Sequence, residues 1–401
     1  MSPSRPPLGD AHNFGRRVTM RGDRVHKPRT LFWEWLLLAA KSPLRRALDG
    51  AAARDGLGPD AFGFLPSLRF FQSPRARGGG EVERVDLEPL DVRTARARRE
   101  LARVTGRSVA LFAWLGIADL HWENLALGTD ARGRTVLAPL DVEIVLSDLA
   151  LPTETKLVPD ADPEHAAVAR HAAGLRRVLP YLGKPVRAVD LVAMASAYRR
   201  TLDLLDRHAR SIADVLSRVC GLREAPIRVL LRGTDAYVRA RSVPPWPPLL
   251  DAEAEQLDRG DIPYFFRLYG RPGIHSFADP SLRTTKRLPL VGDVPRLDPL
   301  LSLSRGLRSP GRASLRDHGL FTLLGVFDDD SLDGVHEADG ITVAFRSRTL
   351  VVTLADGVEL RARRNLGSVV GSIYLPCRCG EVRSVFVPPV TTCKPTRGGS
   401  P

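Results

Sequence analysis

Lysine and asparagine are scarce in this chain. Only six of its 59 basic residues are Lys, at positions 27, 41, 156, 184, 286 and 394, and Asn occurs only at 13, 124 and 365. So lopsided an Arg content has the form of a GC-rich coding bias. It weakens the inference that a net charge of +13 marks a nucleic-acid binder. It also makes the few Lys and Asn informative, because each does something that Arg or Asp cannot. Cysteine is scarce as well. Cys220, Cys377, Cys379 and Cys393 are too few for a disulfide scaffold, so a reducing cytoplasm is the expected setting. No repeat of fixed period is present, which excludes a solenoid or a propeller. Long apolar runs are missing too. The longest, Leu31–Ala40, carries Glu34 and is too short and too charged to span a membrane. The first residues, MSPSRPPLGDAHNF, have no apolar stretch of the secretory kind.

What is present suits a globular chain: 401 residues, 43% hydrophobic and 26% charged. Near the N-terminus, turn residues around Gly9, Gly15 and Gly22 bracket two strands, Arg17–Met20 and Arg24–His26, and Pro28 ends the second. LFWEWLLLAAKSPLRRALDGAAA is apolar on most faces and reads as buried helix. Residues 91–116 read as one long helix, in which 93–107 carries a solvated Arg face. Residues 117–146 read as a loop followed by a hairpin of buried strands around ARGR. A helical lobe is expected over about 164–240. The Pro-, Gly- and Ser-rich stretch 271–319 reads as a linker or long loop. From 320 to 390, GLFTLLGVF, ITVAFRS and TLVVTLADGVELRARR read as a β-rich segment, with 391–401 a frayed tail.

The chemistry is concentrated in Asp119-Leu-His-Trp-Glu-Asn124 and the later Pro139-Leu-Asp141-Val-Glu143. Phosphoryl transfer needs a carboxylate beside the acceptor hydroxyl, and an amide oxygen with a second carboxylate to hold Mg²⁺ against the phosphates. Asp119 and Asn124 have the spacing of the protein-kinase catalytic loop. Asp141 follows an apolar strand, where a carboxylate needs a partner or a metal. Lys27, at the end of the second strand, is the candidate cation on the phosphates, and the turn before it carries Asp10 and His12. Arg228 and Thr234, in RVLLRGTDAY, add a guanidinium fork and a hydroxyl suited to phosphate oxygens.

GDAHNFGRRV with HKPRTL, then DLHWEN with PLDVE, then PIRVLLRGTDAY and GDIPYF occur in the order found in class II lanthipeptide synthetases. Residues 8–270 resemble the dehydratase domain of that family. The resemblance implies an α+β chain with a lipid-kinase-like, protein-kinase-like catalytic core over 1–270, a helical lobe and a small β-rich C-terminal segment. It implies an enzyme that phosphorylates Ser and Thr of a ribosomal precursor peptide with ATP and Mg²⁺, then eliminates the phosphate to leave dehydroamino acids. Carried over by position, Asp10 and His12 match an active-site pair and Lys27 the phosphate-binding lysine. Asp119 and His121 lie near the acceptor, and Asn124 and Asp141 hold the metal. Arg228 and Thr234 serve elimination.

The chain departs from the family in having few residues before GDAH and a long hairpin between Asn124 and Asp141. It also lacks a Cys-His pair of the cyclase kind, so Cys377, Cys379 and Cys393 read as non-metal and ring formation is not expected. A separate cyclase or completing subunit is then a further expected partner. Two alternatives stand beside this reading. One is a kinase without elimination, since aminoglycoside- and choline-type kinases share D-x-H-x-x-N and a later Asp. The other is a pseudoenzyme or binding protein.

Overall fold

The computed structural model describes residues 8–58, 61–75, 78–159, 173–183, 186–232, 236–239, 250–288, 299–309, 312–327, 332–347 and 349–363, with short strands at 374–376, 382–384 and 391–392. Thr234, Cys377, Cys379, Cys393, residues 164–172 of the expected helical lobe and 393–401 of the tail lie outside the described residues. The architecture is mixed α+β with several small antiparallel sheets.

The first sheet has the order β1 (Leu8–His12), β2 (Arg16–Arg21), β3 (Arg24–Lys27), β4 (Gly80–Glu83). β3 pairs with β4 so that Lys27 lies opposite Gly80. The apolar run that follows forms two helices, α1 (Phe32–Leu38) and α2 (Pro43–Arg54). Pro43 has no N–H to continue the first, and the Ser42 Oγ accepts from the Arg45 N–H at 3.1 Å to start the second. Trp33 ties α1 to a distant strand by donating from Nε1 to the Pro226 carbonyl at 2.8 Å.

The long helix α3 (Ala95–Trp114) begins at a Thr94 cap and packs against α4 (Ala188–Arg207). Leu101, Val104, Leu111 and Trp114 from α3 and Leu191, Met194, Tyr198 and Leu202 from α4 are buried in the main core. The Arg face of α3 is only partly solvated. Arg103 pairs with Asp339 at 2.6 Å, and Arg98 donates to the carbonyls of Val92 and Arg93. The two helices touch backbone to backbone at Gly106, where a Cβ would lie 2.1 Å from the Met194 carbonyl oxygen. Gly106→Ala is therefore expected to force α3 and α4 apart and to cost about 1–3 kcal/mol or more, read as a fall in the urea midpoint. A midpoint equal to that of the unaltered chain would mean that the crossing is not this tight.

The expected hairpin is β5 (Leu125–Thr129) with β6 (Thr135–Pro139). Its tip is closed by Asp130, whose carboxylate accepts from the Arg132 and Arg134 N–H groups and pairs with the Arg134 guanidinium at 2.7 Å. A second sheet has the order β10 (Thr285–Arg287), β9 (His275–Phe277), β8 (Phe265–Leu268), β7 (Pro226–Val229). β9 and β10, with the helix Pro299–Arg305, replace much of the linker or long loop expected over 271–319. These strands are short, and they are held by pairing, β9 with β8 and β10 with β9, rather than by a periodic pattern of their own.

GLFTLLGVF is also corrected, because most of it lies in the helix Ser314–Val326, not in a strand. A short apolar run does not distinguish the two by periodicity. Here Tyr198 of α4 donates to the Leu315 carbonyl at 2.6 Å and anchors the helix. The β-rich segment begins at Gly334. Its strands β11 (Gly334–Ala338) to β14 (Glu359–Arg363) pair in sequence order. Val343, Phe345, Val352 and Leu360 join the same core as α3 and α4. No described helix is long and apolar enough to cross a membrane.

Candidate active site

Five segments distant in sequence meet beside the first sheet. They are the β1–β2 turn, the stretch from Lys27 into α1, the loop 119–124, the residues just past β6, and β7 with the start of β8. Most of the residues singled out in the sequence lie here.

The centre is a buried network of three cations and three carboxylates. Lys27 donates to Glu34 at 2.8 Å and also to the Leu140 carbonyl. Arg29 reaches Glu34 at 2.5 Å and Glu143 at 2.9 Å, and also pairs with Asp141. Arg228 lies 3.4 Å from Glu143 and sits over the Tyr264 ring. Burial works to raise the pKa of Asp141, but Arg29, Lys27 and Arg228 outweigh it and hold the carboxyl below the usual carboxylate range. Burial pushes Glu143 up instead, against Arg29, and the charge of Asp141 adds to the rise. The side chain of Asp141 keeps 32% of its surface exposed against 9% for Glu143, so Asp141 is the more accessible of the two carboxylates.

Asp141 and Asn124 are neighbours because the hairpin returns on itself. Leu125 pairs with Pro139, and the next step is a bond from the Leu140 N–H to the Asn124 carbonyl at 2.7 Å. The Asn124 side-chain amide donates to the Asp119 carbonyl at 2.9 Å and braces the loop. Asp119 has φ +64, a left-handed conformation uncommon outside glycine, and its carboxylate pairs with Lys156 at 3.0 Å. His121 accepts weakly from the Glu123 N–H and starts the single 3₁₀ turn Trp122–Asn124, so its visible task is to shape the loop.

His12 is oriented by a residue 250 positions further along the chain. Its Nδ1 lies 2.8 Å from the Ile262 carbonyl oxygen, which can only accept. Nδ1 therefore carries the proton, and Nε2 of the neutral ring keeps a lone pair. Burial and then the charge of Arg228 pull the His12 pKa below the ordinary histidine value, which favours that neutral form. The adjacent turn is clamped by Asp261, whose buried carboxylate accepts from the Phe14 and Gly15 N–H groups at 2.8 and 2.7 Å. Asp10 is exposed on β1 and acts on His12 only through its charge.

The structure thus brings together His12, Lys27, Asp119, Asn124, Asp141 and Arg228. It adds Arg29, Glu34, Glu143, Lys156, Asp261 and Tyr264, which were not singled out as site residues. Glu34 had a signal, being a lone carboxylate in an apolar run. Lys156 had its rarity.

Among the described residues no group of three His, Cys, Asp or Glu side chains is placed to hold a metal by itself. The donor set does suit a cation that arrives with phosphates. Asn124 and Asp141 supply oxygens, and Glu143 Oε2 is buried with no hydrogen-bond partner. Arg228 Nε is likewise buried and unpartnered, a donor that an anionic oxygen would satisfy. No family model matches the chain, and no curated protein matches it.

Proposed function

We propose that the chain is a lanthipeptide-type dehydratase with a kinase-like core, which phosphorylates Ser and Thr of a precursor peptide with ATP and then eliminates the phosphate. The observation that carries this reading is the convergence of Lys27, Asn124, Asp141 and Asp119, with Glu34 tied to Lys27. A strand lysine paired with a glutamate on the following helix is how protein kinases fix the cation that holds the phosphates. Glu34 lies outside every motif used for the resemblance, so its pairing with Lys27 is independent support.

In the transfer half, Lys27 binds phosphate oxygens and Asp119 accepts the proton of the attacking hydroxyl. Asn124, Asp141 and Glu143 are the side chains that would hold Mg²⁺, which when bound offsets charge on the phosphates. In the elimination half, a base removes the α-proton, the Cα electron pair forms the double bond, and the Cβ–O bond breaks with its pair leaving on phosphate. Arg228 stabilises that departing charge. His12 is the neutral imidazole beside Arg228, and Nε2 is its basic atom.

Arg228→Ala is expected to stop the reaction at the phosphopeptide. Intact-mass spectrometry of a Ser/Thr-rich substrate peptide would show the gain of phosphate at each site without the later loss of water. Normal dehydration by this variant would remove Arg228 from the elimination step. One observation favours a kinase without elimination: the Arg228 guanidinium already engages Glu143. Phosphopeptide as the sole product of the unaltered chain would establish that alternative.

A further inference from the structure

We infer that Lys156 is a further catalytic residue, whose ammonium contacts the phosphoryl group as it moves to the acceptor held by Asp119. The inference rests on the phosphoryl-transfer reading above. An exposed ion pair between Lys and Asp is ordinarily a weak surface feature, but three observations set this one apart.

The first is backbone strain. Among the described residues seven that are not glycine have positive φ, and Asp119 at +64 and Lys156 at +60 are two of them. They face each other at 3.0 Å although they are 37 residues apart. Asn13 and Phe14, beside His12, are two more of the seven. Such conformations persist only where the surroundings enforce them, and they cluster at functional sites.

The second is the enforcement itself. The Lys156 N–H donates to the Thr153 carbonyl at 2.9 Å, and the Lys156 carbonyl accepts from the Gly174 N–H at 3.0 Å. The neighbouring Thr155 carbonyl accepts from the Leu120 N–H at 2.9 Å, which joins this turn to the loop carrying Asp119. The backbone is fixed while the side chain stays 57% exposed, beside an Asp119 carboxylate that itself keeps 25% of its surface exposed.

The third is residue type. In a chain with six Lys among 59 basic residues, a lysine stands at this contact. A compact ammonium on a flexible stem can leave a carboxylate and follow a moving phosphate, which a planar guanidinium does less readily.

The step is as follows. The acceptor oxygen, about 3 Å from the Asp119 carboxylate, forms a bond to the γ-phosphorus. The bond to the β,γ-bridging oxygen breaks, and its electron pair stays with ADP. The acceptor proton passes to Asp119. Charge on the three equatorial oxygens is met by Lys27 on the donor side and by Lys156 on the acceptor side. With water as the acceptor, the same step releases inorganic phosphate, so no peptide is needed to test it.

The experiment measures ADP release from MgATP by the full chain and by its Lys156→Met and Lys156→Arg variants, with MgADP titrations and thermal melts of each. K156M is expected to lower kcat about 10²-fold, with MgADP affinity and melting temperature unchanged and part of the rate restored in K156R. A K156M rate equal to that of the unaltered chain, when both bind MgADP, overturns the assignment alone. A loss of MgADP affinity or melting temperature in proportion to the lost rate also overturns it, because Lys156 would then be structural. If the unaltered chain neither binds MgADP nor releases ADP, the phosphoryl-transfer reading falls and takes the assignment with it.

Discussion

Asp141→Asn is expected to reduce phosphoryl transfer from ATP by about 10²–10³-fold or more in kcat, with little change in folding. The substitution keeps the shape of the side chain and removes its charge. Arg29 would still hold Glu34 and Glu143, so the buried network would keep its hub. What disappears is the partly exposed Asp141 carboxylate just past β6, placed beside Asn124 where a phosphate-bound cation would need it. ADP release from MgATP, measured beside a thermal melt, separates the two effects. Full activity in this variant would sink the kinase assignment whatever the peptide substrate is.

Arg29→Met is expected to act on the fold instead, and strongly. Arg29 touches three carboxylates, from α1 and from the strand end after β6, and its own side chain is 9% exposed. Without it, Glu34 would keep Lys27 and Glu143 would keep a long contact to Arg228, while Asp141 would lose its direct partner. Removing one member of a buried ion network costs about 3–5 kcal/mol, since the abandoned charge stays desolvated. Urea unfolding of the variant reads this directly. The double variant Arg29→Met/Glu143→Gln should recover part of the loss by removing one stranded charge. A midpoint unchanged in the single variant would mean that the network contributes little to holding the hairpin against the first sheet.

Much of this arrangement was legible in the residues themselves. Strand β3 ends at Lys27 as the turn and Pro28 pattern indicates, and the hairpin forms around ARGR with Asp141 just past its second strand. α3 was legible because its apolar period is sustained over many turns. The site residues that escaped notice share a physical reason. Arg29 and Glu143 lie inside quoted motifs, yet nothing in spacing says that one guanidinium will hold three carboxylates. Asp261 acts across some 250 residues on the Phe14 and Gly15 N–H groups, and Tyr264 lies under Arg228 of another strand, and no local pattern encodes either contact. β9 and β10 were hidden because their pairing, not their composition, makes them strands. The helix Ser314–Val326 was hidden because an apolar run of that length suits either element until its neighbours decide.

The clamp on the β1–β2 turn also has a bearing on how the molecule is made. Asp261 and Ile262 orient residues 11–15 through contacts with a separation of about 250 residues. At roughly 5–20 residues per second of synthesis, the N-terminal hairpin waits on the order of 10–50 s on the ribosome before the residues that complete it exist. During that interval Phe14 and Gly15 lack the carboxylate they bind in the finished fold, and His12 lacks the carbonyl that selects its tautomer. A nascent chain released early would therefore carry Lys27, Asp119 and Asp141 but no oriented His12. The order of synthesis thus makes the His12 side of the site the last to assemble.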